Sequence, residues 1–239
     1  MLFKNHKQKM VKAILAIVVV LVLVGGGFSA YFILRGGDST NPIEIIEFGG
    51  VEWRVLDRQD DKMLLLSEWI ITHRAYHNEQ QDITWEYSDI RYWLNNEFFN
   101  QFSSEEKAKI AETHVINDDN PWFYTPGGND TADRVFLLSL EEVAKYFGDS
   151  GQLANRPDEN TWSISDWPRY RYDKARVAYE PVTPRWRWMR SAKPKEWWLR
   201  SPGNNQSCAA KIFEIGEIHV YGISVSDLRG VRPAMWVYG

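Results

Sequence analysis

An uncharged apolar run near the N-terminus constrains this chain more than any other feature. The 22 residues of Ala13–Leu34 contain no charged side chain, and Lys12 and Arg35 flank them. As a helix that rises about 1.5 Å per residue, the run would extend about 33 Å, which is long enough to cross a bilayer. The sequence therefore predicts a single transmembrane helix that contacts the lipid bilayer through residues 13–34.

The charges before this run predict its orientation. Four lysines and no acidic residue precede it, so the positive-inside rule puts the N-terminus in the cytoplasm of a single-pass membrane protein. A cleaved signal peptide is the alternative, because residues 13–24 alone have the length of its apolar region. With the helix as an anchor, the chain divides into a cytoplasmic tail (1–12), the transmembrane anchor (13–35), a linker (36–42) and an extracytoplasmic domain (43–239).

Cys208 is the single cysteine of the chain, which excludes internal disulfides and metal sites built from cysteine alone. Exported eukaryotic domains of this size usually carry disulfides, so their absence favours a bacterial cell envelope. His73 and His77 are four residues apart but lack the His-Glu-x-x-His pattern and a third ligand, and no Gly-x-Ser-x-Gly motif occurs. The sequence therefore indicates no enzymatic activity.

Strand and helix patterns alternate in the predicted extracytoplasmic domain. Two β-rich runs flank Gly49-Gly50, which predicts a hairpin. Capping-box patterns that begin at Ser103 and Ser139 predict two helices, and apolar spacing predicts a third after Ser88. Strand-like runs return after residue 197. The predicted class is α+β, with mostly antiparallel strands and about three helices.

An ordered set of short motifs runs through the predicted domain. The motifs are Phe48-Gly-Gly-x-x-Trp53-Arg-Val-Leu56, Leu94-Asn-Asn-x-Phe98, Asn120-Pro-Trp122, Gly127-Gly128, Phe136-Leu-Leu-Ser139, Trp197-Trp-Leu-Arg-Ser-Pro-Gly203 and Gly230-Val-Arg-Pro-Ala234. Together they resemble a bacterial family called domain of unknown function 6273, which has no established activity to carry over. The second half is more distantly similar to the C-type-lectin-like fold and the formylglycine-generating-enzyme domain, and this similarity implies a C-type-lectin-like domain. Those enzymes use a pair of cysteines, so their activity is not implied for a chain with one.

A loop rich in Asn, Asp and Gly follows the second predicted helix. Its carboxylates, Asp118, Asp119 and Asp130, are hard oxygen ligands of the type that Ca²⁺ prefers. Asp and Asn also stabilise turns through their own side-chain hydrogen bonds, without a metal. The loop is thus a calcium candidate or a set of turns, and no other cofactor is predicted.

Residues 167–200 carry a net charge of +7, in a chain whose net charge is −4, and eight aromatic residues lie among them. Guanidinium groups bind carboxylates and phosphates, and indole rings stack on sugar rings. The alternative is that the rings are buried and the cations are paired internally. Trp197, Trp198 and Arg200 belong to a family motif and are predicted to lie in the core. The predicted ligand-binding residues are Arg169, Tyr170, Arg171, Arg185, Trp186, Arg187, Trp188 and Arg190.

These features predict a membrane-anchored, non-catalytic binding protein. Its expected ligand is an anionic or carbohydrate-bearing component of the cell envelope, such as a cell-wall polymer. Nucleic acid is not expected as a partner, because the basic segment would lie outside the cell. The alternatives are a protein–protein interaction module of an envelope complex and an enzyme with no recognisable sequence signature.

Overall fold

Strands dominate the structure. The computed structural model describes residues 18–19, 29–33, 43–181 and 193–239. The strands are β1 Val18–Val19, β2 Ser29–Ile33, β3 Ile43–Phe48, β4 Val51–Gln59, β5 Lys62–Ser67, β6 Thr72–Ala75, β7 Thr113–Val115, β8 Thr131–Asp133, β9 Ser163–Ile164, β10 Ala178–Tyr179, β11 Pro194–Lys195, β12 Trp197–Pro202, β13 Cys208–Ile212, β14 Ile218–Ser224, β15 Leu228–Val231 and β16 Ala234–Tyr238.

The helices are short and lie between the strands. Four are α-helical: α1 Asp89–Trp93, α2 Ser104–Lys109, α3 Leu140–Phe147 and α4 Arg171–Arg176. A π-helical turn, Leu94–Phe98, continues α1, and 3₁₀ turns occupy Trp85–Tyr87 and Phe99–Gln101. Ser103 and Ser139 cap α2 and α3 in capping boxes with Glu106 and Glu142, as the sequence predicts.

Two six-stranded sheets form the framework. The first has the order β1-β2-β3-β4-β5-β16 and is antiparallel throughout. Gly49 and Gly50 connect β3 to β4 with positive φ angles of 61° and 72°, which confirms the predicted hairpin. The second has the order β6-β15-β12-β13-β14-β9, in which β12 and β15 are parallel and the other pairs antiparallel. Two small ribbons, β7–β8 and β10–β11, complete the strand pairing.

The chain passes between the two sheets at two neighbouring places. One crossing follows β5 and leads to β6, and the other follows β15 and leads to β16. The fully buried Arg232 lies in the second crossing, and its Nε and Nη2 donate hydrogen bonds of 3.0 and 2.8 Å to the carbonyl oxygen of Ser67 in the first. Its guanidinium also lies 4.8 Å from the ring of Trp197. Arg232 therefore fastens the two crossings together.

One hydrophobic core joins both sheets and α3. All six residues of β12 are buried, including Trp197 and Trp198. Helix α3 packs Leu140, Val143 and Phe147 against this core, at the spacing that puts side chains on one helix face. The aromatic excess of the sequence thus goes partly into the core, and the prediction that Trp197, Trp198 and Arg200 are buried is confirmed.

The predicted transmembrane helix is wrong. Within the run over residues 13–34, Val18–Val19 and Ser29–Ile33 are strands that pair antiparallel, and β2 also pairs along its length with β3. In the described part of the chain, no helix is long and apolar enough to cross a membrane. The physical reason is local: the run is rich in β-branched valine, which favours strands, and Gly25-Gly26-Gly27 disfavours a continuous helix.

The predicted fold class, a transmembrane helix followed by an α+β lectin-like domain, is wrong as well. The described residues form mostly β-sheet, with few and short helices. The predicted linker over residues 36–42 lies outside the described residues, which resume at Ile43 with β3. The predicted domain boundaries and cellular location stay predictions.

Candidate ligand-binding surface

An aromatic row crosses the outer face of the second sheet at its β14–β9 end. The residues of this aromatic row are Phe123, Trp162, Phe213, His219 and Tyr221. Successive ring centroids are 4.6 Å apart for Phe213 and His219, 6.2 Å for His219 and Tyr221, and 5.4 and 5.5 Å from Tyr221 to Trp162 and Phe123. Trp162 remains 57% exposed, and the other four are partly exposed. Such a contiguous exposed aromatic surface is typical of a binding site.

Strand periodicity forms the centre of this row. Along β14, Ile218 and Val220 are fully buried, so the alternating side chains of His219 and Tyr221 point to the opposite face. The backbone amide of Tyr221 donates a 3.1 Å hydrogen bond to the carbonyl oxygen of Trp162. Trp162 immediately precedes the edge strand β9, which places its ring beside Tyr221.

The turn between β13 and β14 brings Phe213 to the other end of the row. The amide of Phe213 donates to the carbonyl oxygen of Glu217, and Gly216 adopts a φ of 93° in this turn. A Cβ on Gly216 would lie 1.9 Å from the backbone oxygen of Asp173, so no larger residue fits against α4 there. The β13–β14 turn therefore contributes a ring to the aromatic row and also packs against helix α4.

Asn120 holds Phe123 in the row. Its side-chain Oδ1 accepts hydrogen bonds from the amides of Trp122 and Phe123, and its Nδ2 donates to the carbonyl oxygens of Pro202 and Val220. Asn120 is fully buried, and these four contacts use the whole capacity of a carboxamide. The loop that carries Phe123 is therefore fixed to β12 and β14.

Two cations lie against rings at opposite ends of the row. The guanidinium of Arg156 is 4.7 Å from the ring of Phe123, and its nitrogens donate to the carbonyl oxygen of Thr161. Nζ of Lys211 is 4.2 Å from the ring of Phe213 and 2.6 Å from a carboxylate oxygen of Glu196. Burial lowers the pKa of the Lys211 ammonium, although Glu196 opposes that change. Arg156 is thus the better placed of the two to meet an anionic ligand.

His219 gives the row a neutral imidazole at physiological pH. Burial, together with the positive charge of Lys211, lowers its pKa from 6.5 to about 4. In the unfolded chain the imidazole takes up a proton near its ordinary pKa, so the native state loses stability as pH falls from 6.5 towards 4. For this one group the slope is at most about 1.4 kcal/mol per pH unit.

We therefore expect His219→Gln to flatten the pH dependence of unfolding between pH 6.5 and 4.5. The measurement is urea unfolding of the wild-type and variant proteins across this range. Ile215→Ala is the matched control, because Ile215 lies in the neighbouring β13–β14 turn, is 56% exposed and carries no titratable group, so the slope should stay unchanged. If the free energies of unfolding of the wild type and His219→Gln changed equally with pH, the lowered pKa of His219 would be contradicted.

The structure places the predicted basic segment in two different settings. Arg169, Tyr170 and Arg171 are exposed and follow the edge strand β9, next to the exposed Trp167. Tyr170 has a φ of 53° and precedes α4. Arg185, Trp186, Arg187, Trp188 and Arg190 lie outside the described residues, in the connection between the paired strands β10 and β11.

Other cations of this segment are used internally. Arg176 is fully buried, 2.5 Å from Asp173, and donates to the carbonyl oxygens of Gly148 and Gly216. Lys195 pairs with Glu180 at 3.4 Å, and Arg200 pairs with Glu142. The internal-pairing alternative therefore holds for these three cations. In the described part of residues 167–200, the cations therefore do not form one continuous surface.

One family of known proteins matches a region that contains every strand of the second sheet but only β5 and β16 of the first. The sequence profile of DUF6273, a domain of unknown function, matches residues 60–239. The chain belongs to this family. No curated protein and no solved structure matches the chain. The similarity to C-type-lectin-like domains and to formylglycine-generating enzymes is therefore not supported by any match.

Several motifs that mark the DUF6273 domain have structural roles in this chain. Asn120 satisfies four backbone groups, Trp197 and Trp198 are core residues, and Arg232 joins the two sheet crossings. The indole Nε1 of Trp198 donates to the carbonyl oxygen of Arg74, and that of Trp197 to the carbonyl oxygen of Arg176. These motifs build the scaffold, whereas all five rings of the aromatic row come from positions outside the motifs.

Two of the three calcium candidate residues, Asp119 and Asp130, accept hydrogen bonds from backbone amides across their loop. Oδ1 of Asp119 accepts a 3.0 Å hydrogen bond from the amide of Gly127, and Oδ1 of Asp130 accepts one of 3.0 Å from the amide of Asn117. Asp130 also lies 3.1 Å from His114, and Asp118 lines a separate shallow crevice. Among the described residues, no group of three or more His, Cys, Asp or Glu side chains has metal-binding geometry. The two hydrogen bonds connect distant parts of the loop, and the calcium candidate stays a prediction.

Sequence reasoning missed the aromatic row because four separate segments contribute to it. The alternation His219-x-Tyr221 within a strand was a usable signal, since both residues must share one face. Trp162 and Phe123 carry no pattern that relates them to β14. Their proximity depends on the edge pairing of β9 and on the contacts of Asn120.

Proposed function

We propose that this DUF6273 domain is a non-catalytic binding module for a carbohydrate-bearing ligand with anionic groups. The aromatic row is the contact surface. The observation that carries the proposal is the exposure of Trp162 at the head of a continuous row of rings on the outer face of a rigid sheet.

The chemistry of the row suits a sugar chain. Aromatic rings offer large, stiff apolar faces, and the C–H faces of sugar rings pack against them at little cost in side-chain entropy. Neighbouring rings in the row are 4.6–6.2 Å apart, so a ligand of several units would contact more than one ring. Because β13, β14 and β9 fix the rings, little order has to be gained on binding.

Cations beside the row favour a ligand that also carries negative charge. Arg156 stacks on Phe123 at one end. The exposed Arg169 follows β9, whose other end begins directly after Trp162. A guanidinium group binds carboxylates and phosphates through paired hydrogen bonds, which an uncharged sugar does not offer.

Replacing Trp162 with alanine should weaken binding of an anionic polysaccharide at least tenfold. Truncation of a central aromatic contact typically costs more than 1 kcal/mol, and 1.4 kcal/mol corresponds to tenfold in Kd. Isothermal titration calorimetry against purified wall polysaccharides, charged and neutral, measures the effect. The matched control is Tyr87→Ala, since Tyr87 is also largely exposed but lies in the turn before α1.

Equal affinities for wild type, Trp162→Ala and Tyr87→Ala would contradict a role for the row. If no polysaccharide binds and a protein is captured in a Trp162-dependent manner, the row is a protein-interaction surface instead. Arg156→Glu separates the charge from the rings, because it should reduce binding of charged polymers more than that of neutral ones.

A further inference from the structure

A second concave surface lies at the β6 edge of the second sheet, at the opposite end from β9. It is a cleft of about 230 Å³ between β6, α1 and the start of β15. We call it the β6 cleft. At about 30 Å³ per water molecule, it has room for roughly seven or eight waters, which is the scale of one small ring compound. The residues that the argument uses are Arg74, Asn78, Asp89, Tyr92, Trp93 and Glu97.

Among the described residues, Arg74 is the arginine that lines the cleft, and its guanidinium already has partners. The guanidinium of Arg74 lies 4.6 Å from the ring of Trp93, and its Nη2 is 3.6 Å from a carboxylate oxygen of Glu97. Its charge is therefore shared between a ring face and a carboxylate. Arg74 thus fixes one wall of the cleft and does not leave the cleft with an excess of positive charge.

Asp89 is held rigidly in the opposite wall. Its Oδ2 accepts hydrogen bonds of 2.8 and 2.7 Å from the backbone amide and Nδ2 of Asn78, and Nδ1 of His77 is 3.0 Å away. All of these contacts fall on the same oxygen. The Asp89 side chain nevertheless stays 43% exposed in the cleft wall, so a fixed carboxylate faces solvent there.

An exposed ring lies one helical turn from this carboxylate. Tyr92 is 66% exposed and follows Asp89 by three positions on α1, so that the two side chains share one side of the helix. Carboxylates and aromatic faces both attract cations, and together they form the usual surroundings of a bound ammonium group. Asp89 and Tyr92 supply these two groups in the cleft, while the carboxylate of Glu97 is paired with Arg74.

We propose that the β6 cleft binds a single amino-sugar unit, with its ammonium group at Asp89 and its ring against Tyr92. The sugar part of this assignment rests on the proposed carbohydrate-binding function, whereas the ammonium part rests on the cleft itself. The cleft would then bind one cationic sugar unit, while other units of the same glycan bind the aromatic row. Its size restricts it to one unit.

The test is a titration of the ¹⁵N-labelled full chain with glucosamine, followed by amide chemical shifts. Glucose is the uncharged comparison, and N-acetylglucosamine tests whether the free amine is needed. We expect glucosamine to shift the amides of α1 and β6 at millimolar concentration, and glucose and N-acetylglucosamine to bind at least tenfold more weakly. Asp89→Asn and Tyr92→Ala should each weaken glucosamine binding about tenfold.

Two variants keep this test independent of folding. Asp61→Asn replaces an exposed aspartate in the β4–β5 turn and should leave glucosamine binding unchanged. Tyr92→Ala removes a largely exposed ring, so the variant should fold as the wild type does. The proposal is overturned if glucose binds as well as glucosamine, if the shifts lie away from α1 and β6, or if neither Asp89→Asn nor Tyr92→Ala weakens binding. A Trp162-dependent polysaccharide affinity alongside any of those results would leave the proposed function intact.

Discussion

Asn120→Ala should lower the free energy of unfolding by about 4 kcal/mol, because each buried polar group that loses its partner costs about 1–3 kcal/mol. Alanine leaves two amides, those of Trp122 and Phe123, and two carbonyl oxygens, those of Pro202 and Val220, without their hydrogen-bond partners. Asn120 is fully buried, so these four backbone groups would lose their partners in the protein interior. Urea unfolding followed by tryptophan fluorescence measures the loss.

The loss should come from both halves of the carboxamide. Asn120→Asp keeps an oxygen acceptor for the two amides but points a second oxygen at the carbonyl groups of Pro202 and Val220. We therefore expect it to destabilise the protein about as much as Asn120→Ala. Because Asn120 also fixes Phe123, surviving native protein should show weaker binding at the aromatic row.

Asn96→Ala is the matched control for Asn120. Its side chain is exposed and donates one hydrogen bond to the carbonyl oxygen of Tyr92 within the helical segment. Exposed substitutions of this kind usually change stability by less than about 0.5 kcal/mol. If Asn120→Ala and Asn96→Ala unfolded at the same urea concentration, the satisfied carboxamide would contribute nothing special to the fold.

Arg176→Met should destabilise the protein by about 3–5 kcal/mol, the cost of breaking a buried ion pair from one side. The variant leaves Asp173 buried without its cation and the carbonyl oxygens of Gly148 and Gly216 without a donor. Burial already raises the pKa of Asp173, even beside Arg176. The destabilisation should therefore shrink at low pH, where the carboxyl group takes up a proton.

A double-mutant cycle distinguishes the pair from the individual contacts. Asp173→Asn combined with Arg176→Met should cost less than the sum of the two single changes, with a coupling of about 0.5–3 kcal/mol. Lys174→Ala is the control on the same helix, since Lys174 is exposed. Additive single effects, or an equal loss for Lys174→Ala, would show that the buried pair is not what anchors α4.

Patterns of neighbouring residues predicted many elements of this fold correctly, but they failed for the longest predicted element, the membrane helix over residues 13–34. The capping boxes of Ser103 and Ser139 and the Gly49-Gly50 hairpin depend on neighbouring residues, so the sequence was sufficient. The apolar run over 13–34 satisfied the length and charge criteria of a membrane helix, yet Ser29–Ile33 pairs with Ile43–Phe48. Length and hydropathy cannot distinguish these alternatives, whereas the valine content favours strands and the consecutive glycines disfavour a continuous helix.

The basic segment shows a second limit of sequence reasoning. Residues 167–200 are rich in cations and aromatic residues, but the surroundings of each side chain in the folded protein decide its role. Arg176 is neutralised inside the fold by Asp173, and Trp197 is part of the core, while Arg169 faces solvent. The net charge of the segment cannot distinguish buried from exposed cations. Arg176, for example, donates to the carbonyl oxygens of Gly148 and Gly216, which lie outside residues 167–200.

The link between Arg232 and Ser67 has a consequence for how the protein is made. Leu66 in β5 pairs with Ala234 in β16, and Thr72 in β6 pairs with Val231 in β15, so each sheet closes with strands from opposite ends of residues 60–239. During synthesis β5 can pair at once with the preceding β4, whereas β6 has to wait for β15, and contacts so distant in sequence slow folding. Until β15 is available, β6 presents unpaired backbone groups at the edge of the second sheet, which are groups that another chain can pair with.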